Sequence, residues 1–135
     1  MIIPNARKHL NFALLVIILL FFIIRFTNYD EYSIFIAGTL LGSLLPDVDH
    51  PRATLSKVIP FYILHKILKR WTKIFKHGGI THTILVNSLI FGWYWWTGNA
   101  LILGIAVGYS SHIYIDHIDG NKLNMLWWPI GRRNK

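Results

Sequence analysis

Apolar residues gather into four stretches, 10–26, 32–45, 84–96 and 100–115, and each is bordered at one end by histidine or aspartate. Runs of about 10 to 14 apolar residues are more often buried helices of soluble proteins, because crossing a bilayer takes about 20 residues. The runs reach that length when they continue into their polar ends. Ionisable groups inside a membrane bundle are tolerated where they face its interior and bind something. The pattern therefore predicts an all-α, polytopic membrane protein: a bundle of four transmembrane helices in a single membrane-embedded domain, residues 1–135. Gly38 with Gly42, and Gly104 with Gly108, repeat small residues at four-residue spacing, a surface on which two helices approach closely in lipid.

Between the second and third stretches a different periodicity takes over. Ile63, Leu64, Ile67, Leu68, Trp71, Ile74 and Phe75 recur at helical spacing, while His65, Lys66, Lys69, Lys73 and Lys76 fall mainly on the other face. This predicts a basic amphipathic helix, with Pro60 suited to its first turn. It lies either on the membrane surface, where each Lys or Arg gains about 1 kcal/mol from anionic lipid, or in solvent as a cap on the bundle.

Composition sharpens the class. Hydrophobic residues make up 53% of the chain and charged residues 15%, which departs from soluble domains in both directions. The basic excess would suit either nucleic acid or anionic headgroups, and its placement decides for lipid. Thirteen Lys and Arg lie before the first stretch, between the second and third, or after the fourth, against Arg25 alone on the other side. By the positive-inside rule both termini and the central segment are cytoplasmic, and 97–99 is a tight external turn. No nucleic-acid partner is expected. The tandem aromatics at 93–96 and at Trp127 and Trp128 fit interfacial belts. The basic start and the apolar run 12–24 imitate a signal peptide, but no small-residue cleavage site follows, so a retained anchor is expected. The absence of cysteine excludes disulfides and thiol ligands.

Under this topology eight ligand-type side chains meet at one membrane face. His9 opens the first span; Asp47, Asp49 and His50 close the second; His77 and His82 open the third; His112 and Asp116 close the fourth. His112 and Asp116, at i and i+4, share one side of a helix and can chelate a common ion. Pro46 and Pro51 stiffen the turn "PDVDHP" (46–51). In "KHGGITHT" (76–83) the Gly78-Gly79 pair gives His77 freedom, and Thr81 is the natural N-cap for a helix that begins at His82. Four of the six acids in the chain fall in these clusters, Asp119 being the fourth. His65 and His117 fall outside, the first solvated and the second turned away from the side shared by His112 and Asp116. Imidazole and carboxylate without thiolate suit zinc, with manganese or iron as alternatives. Eight ligands exceed what one catalytic ion takes, so two or more ions are expected, a cluster suited to activating water and clamping the oxygens of a phosphoryl group.

The segments "KHLNFA", "LLPDVDHPRATL", "FKHGGITHTIL" and "GYSSHIYIDHIDGNKLNMLWWP" resemble, in the same order, the signatures of the YdjM-like family of membrane-bound, metal-dependent hydrolases. The resemblance runs from His9 to Pro129. It implies a multi-pass inner-membrane helical protein with a metal centre, and carries metal binding onto His9, Asp47, Asp49, His50, His77, His82, His112 and Asp116. The same ligand set is more remotely similar to the all-helical zinc phospholipase C and P1 nuclease group, which implies phosphoester hydrolysis. Three features depart from the family pattern. Gly78 stands where arginine is usual. Asp119 stands where threonine is usual, adding a possible ligand. The chain stops six residues after Pro129, where many relatives continue, which implies a partner protein or a second copy completing the bundle.

The sequence thus predicts a metal-dependent, zinc-type hydrolase acting on a phosphoester at the cytoplasmic leaflet, with Asp49 as general base or bridging carboxylate. The alternative is a non-enzymatic membrane protein whose metal cluster staples short helices together and whose basic helix recruits a partner or anionic lipid. A metal-ion transporter is disfavoured, because ionisable residues sit at one end of the spans and not through their depth.

Overall fold

The structure, a computed structural model, describes residues 4–26, 28–49 and 82–119. Their regular structure is all helical: α1 (Pro4–Phe21), α2 (Tyr29–Gly42), a short 3₁₀ turn (Pro46–Asp49), α3 (Ile84–Thr97) and α4 (Ala100–Ile118). The four α-helices coincide with the four apolar stretches, shifted at their ends by local capping chemistry. Asn28 starts α2 three residues before the apolar run, its side-chain oxygen accepting from Glu31 N at 2.8 Å. Asp30 and Glu31 then place negative charge on the first turn, where the helix dipole favours it. The turn 97–99 forms as expected: Gly98 takes the left-handed conformation (φ 61°) that closes α3, and Asn99 caps α4 through Leu101 N at 2.8 Å.

The N-cap of α3 differs from expectation. Thr83 takes that place instead of Thr81, with extended backbone and its hydroxyl accepting from Val86 N. His82 therefore precedes the helix and does not ride on its first turn. Thr81 itself, the predicted amphipathic helix and the Trp127–Trp128 pair lie outside the described residues.

No described helix is long and apolar enough to cross a membrane. The cause is visible in each. At about 1.5 Å per residue, α2 and α3, with 14 residues apiece, reach only about 21 Å. The longer α1 and α4 carry Arg7, Lys8 and His9, and His112, Asp116 and His117, in the turns nearest the His/Asp end.

α2 and α4 form the centre, and glycine sets their separation. A Cβ on Gly38 would stand 2.5 Å from the Leu101 carbonyl oxygen, and one on Gly42, Gly104 or Gly108 would fall still closer to the carbonyls of Ile105, Phe35 or Thr39. The two small-residue pairs read from the sequence thus face each other backbone to backbone. α1 packs against both central helices, and α3 packs against α4. The core is small: Ala6, Ala13, Ile17, Phe35, Ile102, Ala106, Tyr109 and Ile113. Meanwhile Leu14, Leu15, Ile18, Leu19, Leu85, Leu89 and Trp93 face outward, and α3 buries no residue at all. Exposed leucines are ordinary singly; here they form the outer face of a bundle whose buried side chains include His9, Thr39, Ser43, His82, Thr83, Ser111, His112 and Asp116. The described bundle thus turns apolar side chains outward around an interior that is part apolar and part polar.

Candidate metal centre

Four chain segments bring the histidines and aspartates to one end of the bundle. His9 lies near the start of α1, Asp47 on the 3₁₀ turn beyond α2, His82 just before α3, and His112 and Asp116 on the last two turns of α4. His82 and His112 are among the largest fully buried side chains of the described residues, while the Asp47 side chain is 26% exposed and marks the side from which solvent reaches the cluster.

His112 organises the arrangement. Its Nδ1 lies 2.7 Å from the carbonyl oxygen of Ser43, and since a carbonyl can only accept, Nδ1 carries the proton. In the neutral ring Nε2 then keeps its lone pair, and that nitrogen is buried and without a hydrogen-bond partner. Around it stand Asp116 Oδ2 at 3.3 Å and Asp47 Oδ1 at 3.7 Å. His82 Nε2 faces the same two oxygens, at 3.5 Å from Asp116 Oδ2 and 3.8 Å from Asp47 Oδ1. A tetrahedron built on metal–ligand bonds of about 2.0–2.1 Å has edges of about 3.3–3.4 Å. The four observed separations, 3.3–3.8 Å, lie at or just above that edge and mostly beyond good hydrogen-bond length. A backbone carbonyl fixing the tautomer of a histidine whose other nitrogen points at carboxylates is the usual support of an imidazole ligand.

A second grouping lies beside the first. His9, His112 and Asp116 form one set of potential ligands, and Asp47, His82 and His112 another, with the ligand atoms of each set within 4.8 Å of one another. The rings of His9 and His112 stack at 3.8 Å between centroids, inclined by 12°. His9 Nε2 is 3.5 Å from Asp116 Oδ1, and its buried Nδ1 makes no hydrogen bond. Both sets draw on His112, which has one free nitrogen, so they are not two independent sites. Asp116 joins them: Oδ2 faces His82 and His112 while Oδ1 faces His9. The donor set fits a divalent ion: Asp47, His82, His112 and Asp116 would hold it through two imidazoles and two carboxylates, with Asp116 also facing His9.

Of the eight residues expected to converge, the structure brings together five: His9, Asp47, His82, His112 and Asp116. Asp49 ends the 3₁₀ turn in the adjoining position, with its side chain outside the described residues, as are His50 and His77. Asp119 does not join the cluster. Its carboxylate pairs with Lys8 Nζ at 3.0 Å, tying the end of α4 to the start of α1. Three residues on would keep it on the same face of a helix, but Asp119 is the C-cap beyond the last helical residue, where it meets the Lys8 ammonium. His117 is exposed, as expected. Sequence reasoning missed Ser43: its contribution is a main-chain carbonyl, which side-chain chemistry does not signal, although its place one helical turn before Asp47 was a clue.

The fold and site define a helical protein with an apolar exterior and a buried cluster of metal-ligand type at one end. The chain belongs to the YdjM inner membrane protein family, whose model matches residues 5–135. It is 30% identical over 99 residues to the inner membrane protein YdjM of Escherichia coli (strain K12), and equally to that of Shigella flexneri. Each match covers 68% of this chain and 48% of the relative, so the chain spans about half the length of these curated relatives. No solved structure matches it significantly.

Proposed function

We propose that this protein is a multi-pass inner-membrane hydrolase that uses divalent metal, zinc in the first instance, to cleave a phosphoester at the cytoplasmic leaflet. The observation that carries the reading is His112 Nε2: a buried lone pair without a hydrogen bond, its tautomer set by Ser43, facing Asp47 and Asp116. A polar atom so placed costs stability unless something fills the space between it and the carboxylates. His9, Asp47, His82, His112 and Asp116 would hold the ions, with His50 and His77 completing the set. Bound there, the ions supply a water ionised near neutral pH and neutralise charge on phosphoryl oxygens. The chain's own part is to exclude bulk water with buried imidazoles, to admit substrate on the exposed Asp47 side, and to accept a proton at Asp49, which shares the same short turn. Imidazole and carboxylate ligands without thiolate, which suit ions that clamp phosphoryl oxygens, support a phosphoester substrate. The 13-to-one distribution of basic residues supports cytoplasmic termini and a partner surface of anionic headgroups. The small core and uncovered α3 support a homo-oligomer or partner protein alongside the bundle.

A second reading has an observation in its favour. His9, His82, His112 and Asp116 are nearly sealed from solvent, which suits a structural ion that staples the helix ends as well as it suits a catalytic one. Protein reconstituted in bilayers with its metal and offered phosphomonoesters, phosphodiesters and phospholipids separates the two. The hydrolase reading expects turnover that falls by about 10²-fold or more in Asp49→Asn while metal is retained. Fully metallated wild-type protein that hydrolyses none of them leaves the staple.

A further inference from the structure

The opposite end of the bundle holds a cleft that the metal reading does not use. It encloses about 600 Å³ between the end of α1 and the start of α2, lined by Phe21, Ile24, Arg25, Phe26, Asn28, Tyr29 and Tyr32. That volume is in the range of small-molecule sites. Its walls are braced: Tyr32 packs edge-on against Phe21 at 5.0 Å and against Phe26 at 5.8 Å, and Phe26 rests on fully buried Phe35 at 5.2 Å. Arg25 is the single cation at this end of the described residues, exposed at the rim. Asn28 spends its oxygen on the α2 cap, leaving its amide protons to donate, and the Tyr29 side chain is 91% exposed.

These features select one ligand chemistry. A guanidinium with nearby amide and phenol donors recognises phosphate oxygens, while aromatic walls favour a ligand that brings apolar atoms with it. The same end lies among outward-facing Phe22, Trp95 and Trp96, the composition of a membrane–water interface. Asp30 and Glu31 follow Tyr29 on the first turn of α2, so this end carries two carboxylates against one guanidinium. A headgroup with its own cation suits that balance better than an anionic one. We infer that the cleft binds the headgroup of a zwitterionic phospholipid, its phosphodiester on Arg25 and its ammonium toward the acidic turn, in the leaflet away from the His/Asp centre. The inference rests on the membrane reading but not on the metal.

Native mass spectrometry of the full chain in detergent, titrated with phosphatidylethanolamine, phosphatidylglycerol or glycerophosphoethanolamine, tests it, with metal content measured on the same samples. The ethanolamine lipid should bind at one site at lower concentration than the glycerol lipid, and the water-soluble headgroup only weakly. Arg25→Gln should weaken the ethanolamine lipid about tenfold or more, the scale of a charged hydrogen bond. Arg25→Lys should recover part of that loss, and Arg7→Gln, the same charge change at the other end, should have no effect. Unchanged affinity in Arg25→Gln with helicity intact, equal loss in Arg7→Gln, or tighter binding of phosphatidylglycerol overturns the proposal. So does binding of the soluble headgroup as tight as the lipid, which would mark a site for a soluble phosphate ester. Folded wild-type protein that binds the ethanolamine lipid but takes up no metal overturns the metal reading and leaves this one standing.

Discussion

The middle of the bundle and its His/Asp end both bury polar groups, but they satisfy them differently. In the middle, Thr39, Ser43, Ser110 and Ser111 each bond a carbonyl three or four residues back on their own helix, at 2.7–2.9 Å. These hydroxyls bond within α2 and α4, Ser110 also accepting from Asn87 Nδ2 of α3 at 2.8 Å, and the two central backbones come together over glycine. At the end, His112 Nε2 and His9 Nδ1 have no hydrogen bond, and Asp116 stands 3.3 Å from His112 Nε2 and 3.5 Å from His9 Nε2, separations suited to an ion between the groups. The same helices are thus built for packing along one length and for binding along the next. Asn87 Oδ1 is also buried without a hydrogen-bond partner in the middle, but it lies outside the imidazole and carboxylate groups; what marks the end is unsatisfied imidazole nitrogen grouped with carboxylates.

The largest effect that would break this contrast lies in the middle. Gly108→Val puts side-chain atoms into the Thr39 carbonyl, where backbone cannot yield without separating the helices. A loss of about 3 kcal/mol or more is expected, at the upper end of overpacking costs, read as a lower unfolding midpoint in denaturant. Gly92→Ala on the outer face of α3 meets nothing within 4 Å and should hold or slightly raise stability. Equal effects of the two would remove the glycine crossing from the account.

The contrast at the end is sharpened by two aspartates one helical turn apart. Asp116→Asn should reduce metal content severely, since both of its oxygens face imidazoles. Asp119→Asn should keep the metal and lose under about 1 kcal/mol, the worth of an exposed ion pair. Parallel losses of metal in both variants would return Asp119 to the ligand set. The smallest effect belongs to Thr39→Val, which removes a hydroxyl bonded only within its own helix and preserves its shape. About 1 kcal/mol or less is expected by thermal unfolding, with metal unchanged.

Much of this was legible in the sequence because it follows from periodicity and spacing. The glycine pairs announced the α2–α4 crossing, Asn99 and Gly98 announced the turn, and the i, i+4 spacing put His112 and Asp116 on one face. The convergence of His9, Asp47 and His82 with that face followed from alternating helix direction. What was not legible depends on atoms and not on residue types. That Ser43 acts through its main-chain oxygen, that Asp116 faces imidazoles with both of its oxygens, and that Lys8 captures Asp119 all require the helices' rotations about their axes. Thr83 displaced Thr81 as the cap because two threonines two residues apart both satisfy the capping rule, and only the path of the chain chooses between them.

The central claim is that the unsatisfied end of the bundle is a metal centre, and metal stoichiometry tests it most directly. Wild-type protein purified without chelator should hold at least one equivalent of a divalent transition metal by elemental analysis. His112→Ala should hold far less and unfold at lower temperature, while His117→Ala, exposed on the same helix, should match wild type in both. Metal content that is the same in wild type and His112→Ala, or absent from folded wild-type protein supplied with zinc, manganese and iron, would contradict the account.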